Sequence, residues 1–401
     1  MKRRTTTETA VMVIHTEADL AEFCAALSDA PALFVDTEFV GESRYYPEVG
    51  AIQVSNNGRK ALIDPLAIHD FSPLKRLLTN PAIEKVFHAA IQDLGIFYRL
   101  FGEPVRPIFD TQIAAALLGY DEQISFARLV ERTVGVQLRK SHGFTDWLRR
   151  PLSPKQIEYA LEDVRYLEPA YTYLVTELAT QGRLAWAREE FAVLEDPNRF
   201  IPADPRELYV HIRGAERLNV EELGRLRELV AWREETARSH NIPTNRICMD
   251  PVLMELARRP RETLEELREV RGLRPHQVER FGQGLLAALE LPCGDSCPTI
   301  KRPPHFPAKY EPTVDFLTLC LRSLATENDI APGLLANRAD LSAIVLSGAR
   351  AKVPLMSGWR REAVGETLLA TLQGKATARV IPGSRQVHLE WHHAPVEVEK
   401  K

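Results

Sequence analysis

The chain has 401 residues, of which 45% are hydrophobic and 26% charged, and its formal net charge is −4 at pH 7. This composition is typical of a soluble globular protein and excludes disordered and fibrous classes. The mild acidity excludes a protein that coats nucleic acid by bulk positive charge. At about 150 residues per domain, the length indicates two or three domains.

The cysteine spacing and the lack of a long apolar stretch indicate the cellular compartment. Its five cysteines do not have the spacing of a disulfide framework. No stretch approaches the roughly 20 apolar residues that a membrane-spanning helix needs. We therefore expect a cytoplasmic protein with no disulfide framework and no membrane anchor.

Local charge and proline content divide the chain. Residues 1–205 carry 22 basic and 29 acidic side chains, residues 206–290 carry 15 of each, and residues 291–401 carry 14 and 11. Six prolines lie between residues 291 and 312, and proline both ends helices and stiffens linkers. The predicted division is a first domain over 1–205, a second over 206–290, a linker over 291–312, a third domain over 313–380 and a tail over 381–401.

The first region alternates short apolar runs with helical patterns. Predicted strands are Ala32–Asp36, Ala51–Ser55, Ala61–Asp64 and Lys85–His88. Predicted helices are Gln92–Leu100, Thr111–Leu118, Ile124–Val134 and Pro154–Thr180. This order indicates an α/β domain with a mixed sheet flanked by helices. Beyond residue 205 we find no convincing strand before the tail, so the later domains are predicted to be all-α.

The first candidate site lies at the end of the predicted strand Ala32–Asp36. The apolar run leads directly into Asp36, and Glu38 follows two residues later. Side chains at i and i+2 of a strand point to the same face, so the two carboxylates project together. Buried carboxylates this close raise each other's pKa unless cations neutralise them. The pair is either a metal site or two solvated acids at a strand end, and the residues alone leave both open.

Another acidic residue follows the strand that ends near His88. Asp93 falls in the first turn of the helix predicted from Gln92 to Leu100. An acid in a first turn can simply complement the helix dipole, and taken alone this pattern favours that role. We expect His88 to be a hydrogen-bonded core histidine rather than a ligand.

The most specific pattern begins at Ser153. Ser-Pro-Lys-Gln at 153–156 predicts an N-cap serine, a proline at the first helical position and a capping box. In the helix that follows, Tyr159 and Asp163 are four residues apart and share one face. A neighbouring apolar stripe begins at Ala160, which indicates that this face packs inward. A tyrosine and an aspartate there need polar partners.

These patterns, in this order between residues 36 and 163, resemble the DEDDy 3′–5′ exonucleases, and among them the bacterial ribonuclease D family. Supporting segments are Phe109–Thr111 before a helix, residues 141–147, and residues 150–153 leading into the helix of Tyr159. A related subclass has a histidine near the last aspartate, whereas this chain has the tyrosine. The similarity covers residues 1–200.

The resemblance implies a ribonuclease H-like exonuclease domain with a two-metal site. Asp36, Glu38 and Asp163 would hold one divalent ion. Asp36 would also contact a second ion, on which Asp93 would act directly or through water. Tyr159 would orient the attacking water. Hard cations such as Mg²⁺ or Mn²⁺ prefer carboxylate oxygens, so the residues agree with the implied ions.

Residues 206–290 resemble the HRDC domain, a small all-α bundle. The matching features are Leu226–Arg238, Asn241–Pro243 and Glu269–Leu273. Residues 241–245 would form an exposed loop into the next helix. The arginines of this region are either a surface that guides RNA or a solvated helix face with Glu–Arg pairs, and the equal charge counts favour the second.

Residues 313–380 look like a second, diverged copy of that bundle. Ile330–Pro332 is similar to Asn241–Pro243, and a Gly-Trp-Arg segment follows at 358–360. Trp359 could stack on a base, although a core tryptophan is the favoured interpretation. The fold class is therefore an α/β exonuclease domain followed by two HRDC-type helical bundles.

The resemblance implies a metal-dependent 3′–5′ exoribonuclease that trims structured RNA such as precursor tRNA and releases nucleoside 5′-monophosphates. Its partner would be RNA with a free 3′ end. One alternative is a DNA exonuclease of the same superfamily. A second alternative is a non-catalytic RNA-binding protein on this fold. The chain has no G-x-x-x-x-G-K-[ST] phosphate loop, which argues against a helicase-exonuclease.

Overall fold

A computed structural model describes residues 12–56, 58–138, 146–291, 300, 306–383 and 387–391. The supporting segment 141–147 therefore lies outside the described residues except at its last two positions. Most of the predicted linker over 291–312 also lies outside them. Most of the predicted tail over 381–401 lies outside them as well, whereas the predicted helices and strands of the first region fall within the described ranges.

The first region contains a mixed six-stranded sheet. Its strands are β1 (Met12–Ile14), β2 (Ala32–Val40), β3 (Glu48–Asn56), β4 (Arg59–Ile63), β5 (Glu84–Phe87) and β6 (Ile108–Asp110), in the order β1-β4-β3-β2-β5-β6. β2 runs antiparallel to β3 and parallel to β5, so it is central. The predicted mixed sheet is confirmed. The short strands β1 and β6 were not predicted, because three residues are too few for a strand pattern.

Among the described residues of this region, seven helices accompany the sheet. They are α1 (Glu17–Ala25), α2 (Ser72–Leu78), α3 (Ile91–Phe101), α4 (Thr111–Ala116), α5 (Phe126–Val134), α6 (Pro154–Thr180) and α7 (Leu184–Leu194). The long helix α6 packs across β2, β3 and β4. Ser153 and Gln156 exchange side-chain and backbone hydrogen bonds at its start, which confirms the predicted capping box. Among the described residues, no helix combines the length and apolar composition needed to cross a membrane.

The second region is a helical bundle with its own apolar core. Its helices are α8 (Val220–His240), α9 (Thr244–Ile247), α10 (Asp250–Arg258), α11 (Leu264–Arg268) and α12 (Pro275–Glu290). Leu226, Leu253 and Leu285 are fully buried in that core. The expectation of an exposed loop at 241–245 is wrong over most of its length, because residues 241–244 are half-buried and α9 already begins at Thr244. Asn241 ends α8 in the left-handed region (φ 48°), and its Oδ1 accepts a 2.8 Å hydrogen bond from the backbone N–H of Tyr46 in the first region.

The third region is helical but ends in a β-hairpin. Its helices are α13 (Glu311–Glu327), α14 (Pro332–Leu335), α15 (Arg338–Ser347), α16 (Gly358–Arg360) and α17 (Glu366–Leu372), with a π-helical turn at Arg361–Gly365. Strands β7 (Ala376–Val380) and β8 (Val387–Trp391) pair antiparallel. The prediction of an all-α third region is therefore wrong at its end. Both strands alternate apolar and polar residues, but each has only five, and the second lies inside the predicted tail, for which we predicted no element.

The third region packs directly on the first, and the two share one apolar core. Trp359 is 1% exposed and stacks on Trp186 of α7 with ring centroids 5.1 Å apart. Its Nε1–H donates to Oε1 of Glu190 at 2.7 Å. The prediction of a core tryptophan at 359 is thus confirmed, and its core lies at the interface with the nuclease region.

Candidate active site

The central strand β2 presents the first two carboxylates. Residues 32–35 are fully or almost fully buried, so the strand enters the site from the core. Asp36 and Glu38 follow at alternate positions, both half-buried, and their spacing places them on one face of the sheet. The pairing of β2 with β3 is irregular between Glu38 and Phe39, so the regular part of the strand that presents the carboxylates ends at Glu38. The prediction that these two carboxylates project together is confirmed.

Helix α6 brings the third carboxylate over the same face. Ala160 and Val164 are buried against the sheet, and Asp163 lies on the turn between them. Carboxylate oxygens of Asp36, Glu38 and Asp163 lie within 4.8 Å of one another. Three residues from two distant segments therefore form one cluster that could hold a metal ion.

Asp93 approaches from the first turn of α3. It is 7% exposed, and its Oδ1 accepts a hydrogen bond from the hydroxyl of Thr37. Burial, and after it the negative charge of Asp36, hold the pKa of Asp93 well above its usual range. Asp93 therefore interacts electrostatically with the cluster, although it does not belong to the group of three carboxylates. Sequence reasoning found Asp93 but not Thr37, which stands between the two β2 carboxylates.

The environment of the cluster disfavours ionisation. Burial, and then the charge of Asp163, raise the pKa of Asp36 well above its usual range. Burial and the neighbouring carboxylates raise the pKa of Glu38 to about 9. Burial and the charge of Glu162 raise the pKa of Asp163 to about 7, while its hydrogen bond with Tyr159 acts in the opposite direction. Divalent cations would remove this repulsion, so the donor set fits a site for such ions.

Tyr159 lies one helical turn before Asp163, and the two side chains are hydrogen-bonded. Its ring centroid is 6.2 Å from that of Trp147, which is itself buried. The backbone of Trp147 approaches β3 so closely at Gly50 that a Cβ there would lie 2.5 Å from the Trp147 carbonyl oxygen. Glycine at position 50 therefore lets the segment before α6 close over the sheet beside Tyr159.

An ion pair between the half-buried Arg150 and the buried Asp64 holds this segment in place. The guanidinium of Arg150 donates to both carboxylate oxygens of Asp64 at 2.6 and 2.7 Å, and also to the Gly50 carbonyl at 2.7 Å. This arrangement lowers the pKa of Asp64 despite burial. Sequence reasoning noted the segment 150–153 but could not assign this pair, because Asp64 is 86 residues away.

Asp110 shapes the turn that delivers Asp93. Its carboxylate accepts hydrogen bonds from the backbone N–H groups of Ala89 and Ala90 at 3.2 and 2.8 Å, and it also caps α4. Ala89 has a positive φ of 59°, a conformation that this carboxylate helps to hold. His88 bonds to Thr111 and to the carbonyl of Ile124, both at 3.0 Å, in agreement with the expected core histidine. In the sequence, the feature that pointed to Asp110 was the segment Phe109–Thr111, in which Asp110 directly precedes a predicted helix.

The donor set consists of carboxylate oxygens. Hard divalent cations such as Mg²⁺ and Mn²⁺ favour such oxygens, whereas softer metals favour cysteine and histidine. Asp36, Glu38 and Asp163 could therefore hold one ion, with Asp93 beside Asp36. An arrangement of this kind suits hydrolysis of a phosphodiester.

Comparison with known proteins agrees with this geometry. A family model described as 3′–5′ exonuclease matches residues 11–179, and an HRDC domain model matches residues 222–289. The chain is 39% identical over 370 residues to a ribonuclease D of Granulibacter bethesdensis, covering 90% of this chain and 93% of the relative. It is 38% identical over 384 residues to a ribonuclease D of Zymomonas mobilis, covering 92% and 96%.

A solved structure is similar over nearly the same length. Escherichia coli RNase D, described as an exoribonuclease involved in structured RNA processing, superposes with a TM-score of 0.80 at 34% identity. The match covers 90% of this chain and 99% of that one. These similarities favour ribonuclease activity over the alternatives of a DNA exonuclease or a non-catalytic RNA-binding protein. The chain belongs to the ribonuclease D family and is a 3′–5′ exoribonuclease.

Proposed function

We propose that four carboxylates of this exoribonuclease, those of Asp36, Glu38, Asp93 and Asp163, bind two divalent cations, Mg²⁺ or Mn²⁺. The observation that carries the proposal is the approach of three of these side chains to within 4.8 Å. Their raised pKa values support it, because such a cluster is costly to ionise without bound cations. Asp36 adjoins both Asp163 and Asp93, which suits a ligand shared by two ions.

Bound at Asp36, Glu38, Asp93 and Asp163, the two cations would supply activation of the attacking water and stabilisation of negative charge on the phosphodiester oxygens. The chain's own residues position the remaining groups. The Tyr159 hydroxyl, held by Asp163, would orient the attacking water at the scissile phosphate. The Thr37 hydroxyl fixes Asp93 in the orientation that faces Asp36. Release of one nucleoside 5′-monophosphate per cleavage follows from attack at the terminal phosphodiester.

We further propose that the substrate is structured RNA with a free 3′ end, such as precursor tRNA. Support comes from the similar Escherichia coli enzyme, which is described as acting in structured RNA processing. The HRDC bundle over 206–290 contacts the nuclease region through the hydrogen bond between Asn241 and Tyr46, and we propose that it contributes to RNA binding. The domain boundaries at 205 and 290 are part of this proposal.

The region over 313–380 is proposed to be a second, diverged HRDC-type bundle. Helices α13 to α17 support this assignment, and the pattern at Ile330–Pro332 again leads into a short helix, α14. The hairpin of β7 and β8 is an addition to such a bundle. The core it shares with the nuclease region indicates a fixed attachment rather than a tethered domain.

The function is tested with the full-length protein, Mg²⁺ or Mn²⁺, and a 5′-labelled RNA that carries a 3′ extension. We expect stepwise shortening that disappears with EDTA and in Asp36→Asn. The exposed Asp29 supplies a matched control, since Asp29→Asn should keep full activity. An RNA with a blocked 3′ end should be protected. Internal cleavage, or activity that survives Asp36→Asn, would contradict the proposal.

Substrate preference requires a separate comparison. Precursor tRNA with a 3′ extension, an unstructured RNA of equal length and the corresponding DNA are incubated in parallel. The proposal predicts the highest rate on the structured RNA and little shortening of the DNA. Equal rates on the two RNAs would contradict the assignment to structured RNA while leaving the exoribonuclease activity intact.

A further inference from the structure

Gln53 lies on β3 directly opposite Asp36 in the antiparallel register of β2 and β3. Residues that are directly opposite in such a pair project from the same face, with their Cβ atoms about 4.5–5.5 Å apart. The Gln53 side chain therefore stands beside the Asp36 carboxylate.

Helix α6 covers this position. Ser55, two residues further along β3 and on the same face, donates a hydrogen bond to the carbonyl oxygen of Val164 at 3.3 Å. Val164 directly follows Asp163. Gln53 is thus enclosed between the sheet and the helical turn that carries Asp163, beside Asp36.

The Gln53 amide is fully buried, with 0% exposure. Neither its oxygen nor its nitrogen has a hydrogen-bond partner among the described residues. A buried amide without partners destabilises a fold, and an apolar side chain of the same length would avoid that cost. Because the Gln53 amide lies beside a candidate metal site, we expect it to gain a hydrogen-bond partner when bound ions reposition the neighbouring carboxylates.

A second buried glutamine provides a contrast. Gln277 of α12 is 5% exposed, and its amide is satisfied on both sides. Its Nε2 donates to the carbonyl of Arg246 at 3.0 Å, and its Oε1 accepts from the backbone N–H of Arg274 at 2.9 Å. A glutamine with an ordinary structural role in this chain is therefore fully hydrogen-bonded, unlike Gln53.

We propose that Gln53 is a positioning residue of the carboxylate site, whose side-chain amide donates a hydrogen bond to the Asp36 carboxylate when divalent cations are bound. This inference rests on the proposed two-cation site. A carboxylate that ligates cations keeps further lone pairs, and hydrogen bonds to those lone pairs orient metal ligands. Gln53 would thereby hold the ligand that adjoins both Asp163 and Asp93.

The test is Mn²⁺ binding by calorimetry to the full-length protein, combined with thermal unfolding in EDTA. Gln53→Met keeps the length of the side chain but removes the amide, and Gln277→Met is the matched control. We expect Gln53→Met to bind Mn²⁺ about 10-fold more weakly, with a melting temperature in EDTA equal to or above that of the wild type. Gln277→Met should bind Mn²⁺ normally and melt at a lower temperature.

Wild-type Mn²⁺ affinity in Gln53→Met would overturn the inference. Asp36→Asn separates this failure from failure of the site itself. If Asp36→Asn loses Mn²⁺ binding while Gln53→Met keeps it, only the role of Gln53 is wrong. If Asp36→Asn binds Mn²⁺ as the wild type does, the proposed two-cation site is wrong as well.

A crystal structure of the wild-type protein with Mn²⁺ tests the inference without any variant. The expected result is a Gln53 amide nitrogen within about 3.2 Å of an Asp36 carboxylate oxygen. An amide that instead bonds to a backbone carbonyl of α6, or that stays without a partner when Mn²⁺ is bound, would overturn it.

Discussion

The hydroxyl of Thr37 donates a hydrogen bond to Oδ1 of Asp93, which joins the central strand to the first turn of α3. Thr37 stands between Asp36 and Glu38, so one three-residue stretch presents two carboxylates and fixes a third. The bond also lowers the pKa of Asp93, against the effect of burial and of Asp36. It therefore favours the ionised form of Asp93 that a cation requires.

Thr37→Val keeps the shape of this side chain and removes the donor. The pKa of Asp93 should rise further, so the pH at which activity reaches half its maximum should move upward. The measurement is the pH–rate profile for RNA shortening at fixed Mg²⁺. Thr133→Val is the control, because the Thr133 hydroxyl bonds only to a carbonyl of its own helix in the described structure. An unshifted profile in Thr37→Val would show that this bond does not control Asp93.

Stability of the metal-free protein should depend on pH through the carboxylate cluster. The pKa values of Glu38 (about 9) and Asp163 (about 7) exceed the unfolded values of about 4. The folded state therefore holds protons that the unfolded state releases, and this stabilisation is lost as pH rises through those values. In EDTA the melting temperature should fall between about pH 5 and pH 9.

Saturating Mg²⁺ should reduce the fall of the melting temperature with pH, because bound cations neutralise the repulsion between the ionised carboxylates. Glu38→Gln should flatten the EDTA curve at its alkaline end. Thermal unfolding across this pH range, with and without Mg²⁺, gives the comparison. The same decline under both conditions would mean that the cluster does not bind the ion.

Tyr159→Phe should slow RNA shortening by about 100-fold while leaving Mn²⁺ affinity unchanged. The ring and its contact with Trp147 stay in place, and only the hydroxyl that faces Asp163 is lost. Single-turnover rates and Mn²⁺ calorimetry separate the two effects. Tyr166→Phe on the same helix should keep the wild-type rate. A full-speed Tyr159→Phe enzyme would refute the role assigned to the hydroxyl.

Glu190→Ala should destabilise the attachment of the third region. The Glu190 carboxylate accepts from the guanidinium of Arg360 at 2.5 and 2.7 Å and from Nε1 of Trp359. Removing one partner of a buried pair costs about 3–5 kcal/mol, which urea unfolding would measure. The exposed pair of Arg361 and Glu366 is the control, and Glu366→Ala should cost less than about 1 kcal/mol. Equal effects of the two substitutions would contradict this account.

Local patterns were sufficient to predict which candidate side chains share a face, whereas the resemblance to the DEDDy exonucleases assigned those side chains to a site. Asp36 and Glu38 follow from strand alternation, and Tyr159 and Asp163 follow from helical spacing after the capping box at Ser153. These relationships span at most ten residues. Local spacing and the order of the motifs therefore carry them, and the structure agrees on how these side chains are arranged.

Contacts between distant segments could not be predicted. The pairs Thr37–Asp93 and Arg150–Asp64, and the register that sets Gln53 against Asp36, depend on how strands and helices assemble. The docking of Trp359 on α7 is of the same kind. The hairpin of β7 and β8 was missed although both strands alternate apolar and polar residues, because each run has only five residues and the second lies inside the predicted tail.

The measurement that tests the central claim most directly is the number of Mn²⁺ ions bound per chain, determined by calorimetry or by electron paramagnetic resonance. The account predicts two ions in the wild-type protein and loss of binding in Asp36→Asn, whose carboxylate adjoins both Asp163 and Asp93. Binding that is absent in the wild type, or that Asp36→Asn leaves unchanged, would contradict it.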